Sequence, residues 1–387
     1  MTTIKSVTEY LELIKGLQIK DNVFFRGHAN ENYVLEPGIY RKVKDGKNLV
    51  EFEDQIFREV ISKSPQEFVG KTALETLALL QHYEAPTRVL DLTGNALVAL
   101  FFAVNSWENR DKNGEVIIFD IPDEFVCHYN SDKVTILANL SKCEKDFNFS
   151  SEFVSIFGQK IDYMETLKED YELLENVTGT FNQDIYDFFY STSTVEEWLH
   201  QENFQVENFE RFFNELKENF DQNKWKLYNT NLKFFKNTLI DKIQDCFNFG
   251  IITSIDNVNK KYFKKLLHNI REDKSYFDSI INPTHVSQVF AVRPKLDNPR
   301  IVRQHGAFLI FGIHEVQFTG FGNYKPMADL NREWVLKGID EERILVDKDF
   351  KRSILEELEQ LGINQSTLFP EVDKVADFVK RKYQDKL

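Results

Sequence analysis

The chain has 387 residues, 42% of them hydrophobic, and a formal net charge of -14. That length allows two domains or one large domain with an insertion, and that apolar fraction builds a core, which excludes global disorder. The negative charge excludes a surface that is basic throughout, as duplex binding by phosphate neutralisation requires.

The first part covers residues 1–125. "SVTEYLELIKGL" is expected to form a short helix, with Val7, Tyr10, Leu11 and Ile14 on one face. This start is too polar for a signal peptide. "NVFFRG" reads as a strand. Leu49, Phe52, Ile56 and Val60 mark an amphipathic helix ended by Pro65, and a second helix runs from Thr72 to about Tyr83. "TRVLDL" is a short strand, "NALVALFFAV" an all-apolar helix buried in the middle of a domain, and "EVIIFDI" a buried strand.

The second part, residues 126–284, contains one proline, Pro283 at its very end, whereas the other eight of the chain's nine prolines lie on either side of it. Helical stripes run through Phe209, Phe212, Phe213, Leu216 and Phe220, through Leu232, Phe235, Leu239 and Ile243, and through Phe263, Leu266, Leu267 and Ile270. They are expected to be core. The third part, residues 285–387, returns to strands in "VSQVFAVRP", "AFLIFGIHEV" and "RILVD". It ends in a helix over "DFKRSILEELEQLG" closed by Gly362, a Ser/Thr-capped turn and a last helix. The expected class is α+β, a mixed core interrupted by an all-α insertion.

The three cysteines, Cys127, Cys143 and Cys246, show no C-x-x-C spacing, and their odd number suits a reducing compartment. With no apolar run of about 18 residues, the expectation is a cytoplasmic protein without membrane contact. Nucleotide-loop, dinucleotide, zincin and serine-hydrolase motifs are absent, and the histidine spacing fits no zinc pattern, so no metal is expected. Lysines between Lys224 and Lys274 alternate with acids, as on a solvated helix face, so nucleic acid is not the expected partner.

Three stretches hold more polar residues than their apolar settings explain. The first is Phe25-Arg26-Gly27-His28, with Arg41 beyond it. The second runs from Leu79 to Ala103 and includes Gln81, His82, Thr87, Arg88, Asp91, Thr93 and Asn95. The third, from Arg300 to Gly312, includes Gln304 and His305. A buried charge needs a partner, so Arg88 and Asp91 need each other, another ion or a ligand. Thr93 or Asn95 caps the apolar helix, and a helix N-terminus beside an arginine suits a phosphate. Arg26 offers a planar fork to phosphate or carboxylate, and Gly27 allows close approach to the backbone; alternatively Arg26 pairs with Asp91 or a helix carbonyl end. An Arg–Asp pair beneath a helix cap is equally the pattern of a structural lock.

Together these stretches resemble the FRG domain family. "FFRGH" resembles the naming motif, "LLQHYEAPTRVLDLTGNALVALFFAV" the central block, and "PRIVRQHGAFLIFG" the third block with its Q-x-G-x-F pattern. The resemblance covers about 1–125 and 285–387. His28, Glu84-Ala85 and Leu92 depart from the usual residues. It implies a bacterial or phage-associated protein found beside toxin and anti-phage defence systems. The Arg-Gly strand end is also similar to the first motif of ADP-ribosyltransferases of the Arg–Ser–Glu type. That similarity implies that Arg26 grips NAD, with Thr93 or Thr87 in the serine position. The acidic motif has no match; Gln304 is nearest, then Glu315, and glutamine does not replace a carboxylate facing a developing cation.

The expected function is therefore binding of a nucleotide-like anion such as NAD, in a transferase-like toxin or defence effector. His82, Asp91 and Gln304 are the candidate catalytic residues. Arg26, Gly27, His28, Arg88, Thr93 and His305 are the candidate ligand- and phosphate-binding residues. The alternative is a non-catalytic module whose segment 126–284 binds a protein partner.

Overall fold

The computed structural model describes residues 2–149, 259, 262–277, 281–315, 325–338 and 342–384. Two compact units emerge. One comprises Met1–Phe147, His285–His314 and Phe321–Leu387; the other comprises Asn148–Thr284 and Glu315–Gly320.

The first unit is α+β, built on a mixed sheet of nine strands. These are β1 (Thr2–Ile4), β2 (Asn22–His28), β3 (Val89–Thr93), β4 (Gly114–Ile121), β5 (Val126–His128), β6 (Val289–Arg293), β7 (Gly306–Phe311), β8 (Val335–Lys337) and β9 (Ile344–Val346). Their order is β1-β9-β4-β2-β3-β7-β6-β5, with β8 beside β4. β1–β9 and β5–β6 are parallel, and the remaining pairs are antiparallel. The sequence boundary at residue 125 falls inside this unit, because β5 pairs with β6 and the helix that follows returns to the sheet.

Among the described residues the helices are α1 (Val7–Lys15), α2 (Glu53–Lys63), α3 (Pro65–Phe68), α4 (Ala73–His82), α5 (Ala96–Val104), α6 (Asp132–Asn139), α7 (Lys264–Asp273), α8 (Pro283–Val286), α9 (Pro299–Arg303), α10 (Lys351–Gln360), α11 (Gln365–Leu368) and α12 (Val372–Gln384). Their ends follow local chemistry. Ser6 caps α1, and Thr72 and Glu75 form a capping box on α4. Asn95 caps α5 by accepting from the amides of Leu97 and Val98. Pro65 does more than end α2, since it opens α3 from the position where a missing N–H costs nothing. The turn before the last helix is capped by Asn364 with Thr367, not by a serine.

Strand alternation divides the core. Phe25, Val116 and Ile118 face α5, α1 and α10, whereas Phe24, Leu90, Leu92, Ile117 and Phe119 face the opposite layer with Leu309 and Trp334. Helix α5 buries Val98–Phe101, Ala103 and Val104, because its sequence has no polar face. Each large side chain it buries contributes about 1.5–3 kcal/mol, so α5 is held firmly against the sheet.

In the second unit, α7 buries Leu266 and Ile270. Phe263 packs against Phe149 with ring centroids 5.7 Å apart. The Asn259 side chain accepts the Ile281 amide at 2.6 Å. The stripes over 209–220 and 232–243 lie outside the described residues.

Candidate functional site

The centre of the sheet is split. β2 pairs with β4 along its whole length, from Asn22 opposite Ile121 to His28 opposite Glu115. It meets β3 only where Phe25 stands opposite Thr93. β3 instead pairs fully with β7, from Val89 opposite Ile310 to Thr93 opposite Gly306. Past Phe25 the ladder between β2 and β3 stops, and the Arg26 side chain supplies the missing donor. Its Nη1 donates to the Asp91 carbonyl at 2.6 Å, and its Nε donates to His28 Nε2 at 3.0 Å.

An open hollow of about 190 Å³ lies at this split. Arg26 and Gly27 of β2, Asp91 and Thr93 of β3, and Gly306 and Phe308 of β7 line it. So do Gln81 and His82 of α4, Phe102 of α5, Arg300 and Ile301 of α9, and Gln304 in the turn after α9. Of the residues singled out in the sequence, Arg26, Gly27, His82, Asp91, Thr93 and Gln304 meet here.

The charges are unevenly matched. Burial pulls the Arg26 guanidinium down to about 10; Asp91 opposes this and Arg41 adds to it. Arg26 remains a cation at neutral pH, yet a poorly compensated one. The exposed Asp91 carboxylate accepts from Gln81 Nε2 at 3.0 Å, and Gln81 in turn accepts from Thr87 Oγ1 at 2.7 Å. Arg300 lies over the Phe369 ring, 4.6 Å from its centroid. Its guanidinium makes no hydrogen bond among the described residues, so its donors are available to a guest. Burial, with Arg300 second, lowers the His82 pKa, although His82 Nε2 lies 3.2 Å from Glu371 Oε1. Gln304 Nε2 donates to the Leu368 carbonyl at 3.1 Å. The end of α11, at Leu368, and the chain just after it, at Phe369 and Glu371, therefore brace three residues of the hollow: Gln304, Arg300 and His82.

Six expectations need correction. Arg88 does not reach the hollow. It is 0% exposed and grips Glu53 through Nε at 2.7 Å and through Nη2, while Nη1 donates to the Phe311 carbonyl at 2.9 Å. Lys325 Nζ joins the same carboxylate at 2.8 Å. The structural lock exists, but its acid is Glu53 and not Asp91. His28 is buried behind Arg26, outside the lining. His305 is exposed, has φ +47°, and also stands outside the lining. Gly27 serves packing: a Cβ there would lie 2.0 Å from the Ala99 carbonyl oxygen, so glycine lets α5 sit directly on β2. At the N-terminus of α5 the Asn95 side chain already accepts from the amides of Leu97 and Val98, so that helix end is capped from within the chain. Thr93 is spent locally, donating to the Gln304 carbonyl at 2.6 Å and accepting from the Asn95 amide at 3.0 Å.

Sequence reasoning passed over Arg300. Its signal was the spacing of Arg300 and Gln304, which a single helical turn brings to one side. Among the described residues, no cluster of three or more His, Cys, Asp or Glu could hold a metal ion, and no helix is long and apolar enough to cross a membrane.

Residues 21–112 match the family model described as FRG domain. The match spans the first two motif blocks; the third, at Arg300–Gly312, lies beyond it, although the fold brings β7 beside β3. No curated protein and no solved structure matches the chain. The stretch that builds the split of the sheet, with Arg26, Gln81, His82 and Asp91, thus lies within the residues, 21–112, that are similar to the FRG domain.

Proposed function

We propose that the hollow binds a nucleotide-like anionic ligand, NAD being the leading example. The observation that carries this reading is the pairing of two under-compensated guanidinium groups, Arg26 and Arg300, with a single carboxylate, Asp91, around one open cavity. Guanidinium forks match phosphate oxygens, and a desolvated cation gains most from an incoming anion. Arg26 and Arg300 hold phosphate in this reading, Gln81 orients Asp91, and Gln304 orients the reacting group.

Asp91 supplies the carboxylate that the third block lacks. With NAD bound, the C1′–N bond breaks and its electron pair stays on the nicotinamide nitrogen, cancelling the ring charge. The cation left on the ribose carbon is stabilised by Asp91. Water then forms the new C–O bond and passes its proton to Asp91; an acceptor side chain in the place of water gives ADP-ribosyl transfer. A protein with this chemistry acts as a toxin or defence effector by consuming NAD or modifying a target.

The test is nicotinamide release from NAD by the wild-type chain, Arg26→Ala and Asp91→Asn. Release by the wild type, reduced at least about 100-fold in both variants with unchanged melting, is expected. Full turnover in both variants contradicts the catalytic reading. The alternative, a lock centred on Asp91, is disfavoured by the exposure of Asp91 and by the location of the buried lock at Arg88 and Glu53.

A further inference from the structure

We infer that His28 is a positioning residue for Arg26, an acceptor whose Nε2 lone pair fixes the guanidinium fork; the inference rests on the reading of the hollow as an anion site. Every nitrogen of a guanidinium donates and none accepts. The 3.0 Å contact from Arg26 Nε to His28 Nε2 therefore requires a lone pair on Nε2, and the neutral ring carries its proton on Nδ1. His28 is 3% exposed and Nδ1 has no hydrogen-bond partner; the nearest acid, Glu115, has Oε2 4.0 Å away. That spacing favours the Nδ1–H tautomer without making a hydrogen bond.

Everything facing the ring opposes a second proton except that acid. Arg26, Arg41 and Arg343 all act against it, after burial itself, and Tyr33 presents a ring 6.0 Å away. Glu115 is already gripped by Arg343, through Nε at 2.7 Å and Nη2 at 3.0 Å. A histidinium would set N–H against N–H and release Arg26.

The geometric consequence concerns the fork. Nε is spent on His28 and one N–H of Nη1 on the Asp91 carbonyl. The plane is fixed by two anchors, and the remaining N–H groups stay pre-organised for an anion. Such pre-organisation raises affinity by removing the entropy cost of ordering the side chain on binding. His28 touches no ligand itself, so its effect on binding runs wholly through Arg26.

Two measurements test this. In the first, NAD affinity is compared between wild type, His28→Gln and His28→Leu. Glutamine keeps an acceptor oxygen, and leucine fills similar space without one. His28→Gln is expected within about threefold of wild type, and His28→Leu weaker by about 10–100-fold, the range for a lost charge-assisted hydrogen bond. Equal affinity in wild type and His28→Leu, or equally weak affinity in both variants, overturns the assignment. The second needs no ligand: nitrogen-15 imidazole spectra of the wild-type chain, with the signals of the other histidines set apart by spectra of folded His28→Gln. A neutral Nδ1–H ring for His28 persisting to about pH 5 supports the role. A cationic ring at about pH 6, or a proton on Nε2, overturns it. If the wild type binds no NAD while the spectra show the neutral tautomer, the ligand reading fails and the hold on Arg26 stands.

Discussion

Arg26 in β2 and Arg88 just before β3 are the same residue type, yet their tertiary partners separate them. Arg88 is sealed against Glu53, 35 positions away in sequence, and Lys325 holds the same carboxylate. Local spacing showed Asp91 three residues from Arg88 and gave no view of Glu53, so the lock was legible as a pattern but not as a pair. Breaking a buried ion pair by removing one partner costs about 3–5 kcal/mol. Arg88→Leu should therefore lower the melting temperature by several degrees or prevent folding. Arg26→Ala, at the edge of an open hollow, should leave melting nearly unchanged. Calorimetric scans of both variants check the contrast; equal losses contradict the division into lock and site. His28 adds a pH signature. Its folded pKa is pushed down to about 2, below the unfolded value of about 6.5, with burial as the main cause. The unfolded chain then binds the extra proton, so this contribution to stability is full above about pH 6.5 and is lost progressively as pH falls towards 2. At about pH 5 the loss is on the order of 2 kcal/mol. Melting measured at about pH 7 and about pH 5 should show a steeper acid loss in wild type than in His28→Gln; parallel slopes contradict the buried neutral ring.

At the scale of elements, β2, α4, β3, α5, β4 and α10 were legible because their apolar periods and caps agree. The third motif block holds a helix that its strand pattern hides: Asn298 and Pro299 form an N-cap and first-position start signal, and α9 with the turn after it carries Arg300 and Gln304 to the rim of the hollow ahead of β7. The parting of β2 from β3 was also invisible, because a broken ladder leaves no mark in a two-residue alternation. The sequence suggests room for a ligand at Gly27, whereas the need for glycine there comes from α5. A Cβ at Gly27 would meet the Ala103 amide nitrogen at 2.7 Å as well as the Ala99 oxygen at 2.0 Å. Gly27→Ala should push α5 off the sheet at a cost of about 1–3 kcal/mol or more. Denaturant unfolding of this variant is expected to show a lower midpoint; an unchanged midpoint contradicts direct packing of α5 on β2.

The whole molecule carries a net charge of -14, yet the hollow presents two arginines to one aspartate. This local inversion of sign could not be read from composition, since it depends on the sheet order β4-β2-β3-β7 bringing residues 26, 91 and 300 together. An anionic ligand held there binds the folded chain alone. At about 100 times its dissociation constant it should stabilise the fold by about 2.7 kcal/mol, with an affinity that weakens as salt screens the arginines.

Titration calorimetry of NAD, with ADP-ribose and pyrophosphate in parallel, into the wild-type chain, Arg26→Ala and Arg300→Ala is the most direct measurement. Saturable binding by the wild type, lost or weakened at least about tenfold in each variant while melting stays the same, is the expected result. Binding of none of these phosphorylated ligands by the wild type, or undiminished binding by both variants, would contradict an anion site built on Arg26 and Arg300.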